Sequence, residues 1–152
     1  MNEIKIIPYE PIHALKILDR NVREQDIILT SCPDWEKWIE FWKTEGPAFT
    51  MIANGEVVGC GGITLVGWGK GMAWTLFSSL FYQYKKSVFK GLKIFLDQII
   101  KEKKLRRVEA VVKFGFKDGC HLLEHLGFIN ETPNGMKKWG PNGEDMYLFG
   151  RV

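Results

Sequence analysis

The chain has 152 residues, of which 45% are hydrophobic, 26% charged and 13% aromatic. These proportions exclude a disordered chain and predict one compact domain over residues 1–152, large enough to keep a core without disulfide or metal staples. The net charge of +3 is mild but uneven: nine basic residues face only Asp97 and Glu102 between Gln83 and Arg107, leaving +7 on that segment and −4 on the remainder.

The opening residues MNEIKIIPYE carry acid and proline where a secretory signal needs a basic start and an apolar run, and no stretch of about 18 apolar residues occurs anywhere. This predicts a cytoplasmic protein with no membrane partner. Cys32, Cys60 and Cys120 form no C-x-x-C pair, which fits reduced, small buried hydrophobes.

Glu3–Pro8 alternates as an opening strand, and after Pro11 the residues Ile12, Leu15, Leu18 and Val22 recur at helical spacing. Ser31-Cys32-Pro33-Asp34 has the form of a capping box, followed by Trp35, Trp38, Ile39 and Trp42 on one helical stripe that Gly46-Pro47 ends. The stripe predicts core, with lining of a substrate cleft as the functional alternative. Two apolar runs within Ala48–Val66 meet at Asn54-Gly55, a strong hairpin signal, and Gly67–Gly71 forms a loop to a third strand, Met72–Phe81. The three make an antiparallel meander.

From Tyr84 to Lys104 the period becomes 3.6, with Val88, Leu92, Phe95, Leu96 and Ile99 inward and Lys86, Lys90, Lys93, Asp97 and Lys101 outward. Arg107–Phe114 reads as a strand, Asp118–Leu126 as a short helix stopped by Gly127, and Asp145–Arg151 as a closing strand. Asn134-Gly135 and Pro141-Asn142-Gly143 are turns between the last strands. The predicted fold class is α+β, a twisted and mostly antiparallel sheet flanked by helices.

Several chemical patterns carry little weight. His121-x-x-Glu124-His125 is a literal H-x-x-E-H, a pattern that binds zinc in some proteases, but a third ligand would have to come from the last 27 residues of a chain too short for that architecture. Gly59, Gly61, Gly62, Gly67, Gly69 and Gly71 match neither a P-loop nor a dinucleotide fingerprint. Nucleic-acid binding rests only on the basic helix, without a docking motif, and a solvated lysine face is the plainer reading.

The element order β-α-α-β-β-β-α-β-α-β-β, with a long helix after the meander and Gly119-x-x-x-x-Glu124-x-Leu126-Gly127-Phe128 after the next strand, resembles the GNAT superfamily of acyl-CoA-dependent N-acetyltransferases over almost the whole chain. The compact, lysine-rich form also resembles GNAT-like proteins carried by bacteriophages. The resemblance implies acetyl-CoA as cofactor and a cleft where the adjacent parallel strands Met72–Phe81 and Val108–Phe114 splay apart. It implies that Phe77, Ser78 and Ser79 lie beside the pantetheine arm, and that Gln83, Lys85, Lys86 and Ser87 meet the pyrophosphate. A small-molecule amine or a protein lysine would enter past Trp35, Trp42 and Trp68.

Two departures stand out. In the family's R/Q-x-x-G-x-G/A loop, placing Gln83 first puts Lys86 and Val88 at the glycine positions, where side chains are expected to obstruct the phosphates. The tyrosine that serves many members as general acid is Leu123 here, and an Asn of the pattern is Phe116. His121 is the expected substitute acid, with Ser79 as a second catalytic candidate. Two readings follow: an acyl-CoA-dependent N-acyltransferase working by direct attack of the amine, or a catalytically inactive GNAT-like binding module, for instance a phage structural or host-directed factor.

Overall fold

The computed structural model describes residues 3–19 and 29–152. A seven-stranded sheet runs in the order β1-β2-β3-β4-β5-β7-β6. The strands are β1 (Lys5–Pro8), β2 (Ala48–Ala53), β3 (Glu56–Gly67), β4 (Lys70–Phe77), β5 (Arg107–Lys113), β6 (Ile129–Asn130) and β7 (Met146–Arg151). The helices are α1 (Pro11–Leu18), α2 (Trp35–Thr44), α3 (Lys85–Glu102) and α4 (Lys117–His125), with a 3₁₀ turn over Ser79–Tyr82. Every pairing is antiparallel except β4 with β5.

Strand alternation sorts the core into two layers. On one face α3 and α4 pack against Phe49, Ile63, Phe77, Val108, Val112 and Phe149. On the other, Ile17 of α1 and Ile39 of α2 bury Tyr9, Cys60 and Leu76. The long helix turns inward the residues its period predicts: Val88, Leu92, Leu96 and Ile99 are buried, while Lys86, Lys90, Lys93 and Lys101 are exposed.

The Asn54-Gly55 hairpin forms with both residues at positive φ, 50° and 78°, the type I′ geometry whose twist matches the strands it joins. The glycines of β3 answer to close packing: a Cβ on Gly59 would lie 2.3 Å from the Phe77 ring and one on Gly62 2.6 Å from the Pro47 carbonyl oxygen.

Four expectations are corrected. The α1 stripe is Ala14 and Ile17, with Ile12 at the surface, and Val22 lies outside the described residues. Helix α2 is capped by Asp34, in a left-handed conformation (φ 62°) without a side-chain capping bond, rather than by a box at Ser31. On its stripe only Ile39 is buried, since Trp38 stays exposed and Trp35 and Trp42 half-buried. The third meander strand begins at Lys70, so the loop before it is the two residues Trp68-Gly69, and it ends at Phe77, where the chain turns into the 3₁₀ segment.

Candidate active site

Strands β4 and β5 run parallel but pair at only three positions, Lys70↔Arg107, Gly71↔Val108 and Met72↔Glu109. Beyond them β4 continues on β3 and β5 on β7, so the two strands diverge. An ion-pair network holds the closed end. Glu109 lies 3.3 Å from Lys70 Nζ and accepts from Arg107 Nε at 2.7 Å, and Arg107 also forks onto Glu131. Burial alone would raise the Glu109 carboxyl, but the Arg107 and Lys70 hydrogen bonds carry it below the ordinary value.

The divergence opens a cavity of about 460 Å³. Its inner wall is Leu92, Phe95 and Leu96 of α3 with Leu122 and Leu123 of α4 and Leu126 just after it, and Ile63 and Phe128 also line it. Trp38 of α2, Trp74 of β4 and Trp139 of the β6–β7 connection stand on its outer side. Trp74 is fixed by a stack on Trp42, centroids 4.0 Å apart and planes 9° from parallel. Among the described residues that line it, no side chain is ionisable, and Thr75 supplies the hydroxyl.

Helix α4 owes its exit to Leu126-Gly127-Phe128. Gly127 takes φ 91°, its amide donates to Glu124 O at 3.0 Å, and the Phe128 amide donates to Leu123 O at 2.9 Å. These are the two bonds of a Schellman cap, and its apolar pair Leu123 and Phe128 borders the cavity.

At the far end of β4, Ser78 is buried and its hydroxyl faces the Val57 and Val58 carbonyl oxygens at 3.0 and 3.1 Å while accepting from the Leu80 amide at 3.2 Å. Phe77 is wholly buried against Phe81. Both side chains are thus structural, and neither lines the cavity. Ser79 is exposed, in a separate groove with Lys16, Glu56 and Leu80. Gln83, Lys85 and Lys86 are exposed, and Ser87 is half-buried at the start of α3. Val88 points into the core, so its side chain is not the obstruction the loop pattern predicts. The Tyr82 hydroxyl donates to Asp118 at 3.3 Å, linking the 3₁₀ turn to α4.

His121 does not line the cavity. It is exposed on α4, its ring 6.0 Å from that of Phe89, and His125 flanks the same ring at 5.0 Å. Leu123 and Phe116, where the family pattern has polar residues, do line it. Burial and the Glu124 carboxylate push the Cys120 thiol up. Of the predicted tryptophans, Trp35 packs with the second core layer, Trp42 reaches the cavity only through Trp74, and Trp68 is 90% exposed on the β3–β4 turn. The residues the sequence reading missed are Trp74, Thr75 and Trp139. Trp74 had a signal in its strand context, whereas Trp139 had none, since it sits in the turn-rich connection after β6.

No protein-family model matches the sequence, and no curated protein matches it. Similarity in structure is extensive. The ribosomal-protein-S18-alanine N-acetyltransferase from Escherichia coli superposes with a TM-score of 0.74 at 15% identity, over 98% of this chain and 93% of that one. The chain has the GNAT fold. A GNAT-family acetyltransferase from Bacillus anthracis gives 0.71 at 17% identity, over 98% and 94% of the two chains. A spermidine N-acetyltransferase chimera from Vibrio cholerae gives 0.70 at 13%, over 98% and 95%. Within this GNAT fold no helix among the described residues is long and apolar enough to cross a membrane.

Proposed function

We propose that the protein is an acyl-CoA-dependent N-acyltransferase in which an amine attacks the thioester directly. The observation that carries this reading is the parting of β4 from β5 after Met72 and Glu109. It leaves one edge of β4 facing a cleft, and an extended arm bearing amide groups pairs with such an edge as an added strand does. The arm would enter at Phe77–Ser79. Beyond it, the exposed ammonium groups of Lys85 and Lys86 stand at the N-terminal end of α3, where the helix dipole is positive, and they suit a pyrophosphate.

Bound acetyl-CoA, or another acyl-CoA, supplies an acyl carbon activated as a thioester. The chain's own residues hold that carbon in the cleft between leucine and phenylalanine walls and admit the amine beside Trp38, Trp74 and Trp139. In the transfer the nitrogen bonds to the acyl carbon, the C–S bond breaks, and the nitrogen's proton passes through water to the departing thiolate. With no ionisable side chain among the described lining residues, the amine must shed its ammonium proton to solvent before it attacks. The acceptor is a small amine or a protein lysine. Neighbours named for a ribosomal-protein alanine and for spermidine support a nitrogen nucleophile.

The lack of an ionisable lining group also favours a second reading, a GNAT-shaped module that binds a partner through Lys90, Lys93 and Lys101 without catalysis. Titrating acetyl-CoA into the purified protein tests the first reading, because a ligand at 100 times its dissociation constant raises native stability by about 2.7 kcal/mol. The expected result is a rise in Tm with CoA bound in native mass spectra. No shift at millimolar acetyl-CoA and no bound CoA would rule out the acyltransferase, while binding without turnover of any amine would leave the binding module as the better account.

A further inference from the structure

The cavity extends well past what a two-carbon acyl group occupies. At about 460 Å³ it equals the share of roughly fifteen waters in the liquid, at about 30 Å³ each. The arm of an acyl-CoA would take up the part near Thr75, where β4 and β5 stand apart. Past that point the space continues beneath α3 toward the closed end of the cleft, between Ile63, Leu92, Leu96, Leu126 and Phe128. The side chains around that inner part are all apolar, so it suits a hydrocarbon better than water, which when buried needs two to four polar partners.

We propose that this inner part is an acyl-chain pocket, and that the donor is a longer acyl-CoA, of butyryl to hexanoyl length, rather than acetyl-CoA. The inference rests on the acyltransferase reading and specifies its donor. The side of the sheet decides the occupant. Ala73 and Ala110 face the α3 layer, as does the inner wall, whereas Trp74 and the α2 residue Trp38 mark the opposite face, from which an amine would approach. A chain attached to the donor therefore lies on the donor's side. From Thr75 to Ala73, the β4 residues on that side, the pocket runs about 7 Å along the strand, which suits roughly four to six carbons in all. The two alanines leave the space open, and a longer side chain at either position would fill it.

The test is the affinity of the wild-type protein for free CoA and for acetyl-, butyryl-, hexanoyl- and octanoyl-CoA, measured by calorimetric titration. Burial of each methylene is worth about 0.8 kcal/mol, so the dissociation constant should fall about fourfold per methylene from acetyl to hexanoyl. Ala110→Leu should reverse the order in favour of acetyl-CoA, and Ala73→Leu provides the same reading should the first variant not fold. Affinity that is flat with length, or weakens with it, overturns the pocket and leaves the acyltransferase standing. Turnover of hexylamine by acetyl-CoA with hexanoyl-CoA excluded gives the cavity to the acceptor and also overturns it. Failure of free CoA and of every donor to bind removes the acyltransferase reading, and this inference with it.

Discussion

The imidazole of His13 joins α1 to the sheet, with Nδ1 accepting the Glu10 amide hydrogen at 3.1 Å and lying 2.7 Å from Thr50 Oγ1. Because a backbone amide only donates, Nδ1 carries no proton, so the Thr50 hydroxyl donates to it and the Cys60 thiol, 3.5 Å away, donates to Thr50 Oγ1. Burial pushes the Cys60 thiol up to about 12, which keeps that donor protonated. Burial, with Lys16 close by, holds His13 below the ordinary 6.5, against the opposing pull of Glu10, and the Tyr9 ring meets its edge at 6.5 Å. The unfolded chain then binds the proton more readily than the folded one. His13's contribution to stability is accordingly complete above pH 6.5 and is lost as pH falls through its lowered folded value. Urea midpoints should drop more between pH 7.5 and 5 for the wild type than for His13→Asn, and equal slopes would contradict this chain of donors. None of it was legible in the sequence, where His13 and its partners Thr50 and Cys60 are separated by dozens of residues.

At the scale of elements, the position where β4 ends depends on one hydroxyl. Ser78 closes the 3₁₀ turn by accepting from Leu80 and ties it to β3 through the Val57 and Val58 carbonyls. Ser78→Ala removes a cap and a buried donor together, so it should lower stability by about 1–2 kcal/mol, read as a shift in urea midpoint with unchanged slope. An unchanged midpoint would mean the turn is held by backbone bonds alone. This bond crosses 20 residues, which is why the apolar run Met72–Phe81 read as one long strand although its last four residues turn away. Elements set by local chemistry were legible. Asn54-Gly55 supplies the two positive φ values its hairpin needs, and Leu126-Gly127-Phe128 spells a Schellman cap. Ser31 lost the α2 cap to Asp34 despite a matching pattern. The cavity walls lay between these cases: Leu92, Leu96 and Leu123 were visible as core or as departures from the family pattern. That the core there is hollow follows only from the divergence of β4 and β5.

Over the whole molecule, the positive segment read from the sequence divides: Lys85, Lys86, Lys90, Lys93 and Lys101 lie along α3, whereas Lys103, Lys104, Arg106 and Arg107 follow its end, Arg107 in the ion-pair network at the closed end of the cleft. Asp97 on α3 is already engaged: it meets Lys93 at 3.1 Å and Arg151 at 2.7 Å, and the Arg151 bond with the Lys93 pair holds its carboxyl below the usual range. Lys86 and Lys90 border the same shallow groove and form no ion pair among the described residues, which leaves their charge available to an incoming anion. Lys86 belongs to the first turn of α3, where the helix dipole adds to its field. Exchange of that ammonium for a carboxylate sets like charges together, so Lys86→Glu should weaken CoA binding on the order of tenfold at 0.1 M salt. Screening provides the control. The Debye length shrinks from about 10 Å at 0.1 M to about 3 Å at 1 M, so the gap between wild type and variant should narrow as salt rises. Dissociation constants for free CoA at the two salt concentrations decide the matter: a gap that persists at 1 M points to altered folding of the α3 terminus, and no gap at 0.1 M means the phosphates are held by backbone amides without help from Lys86.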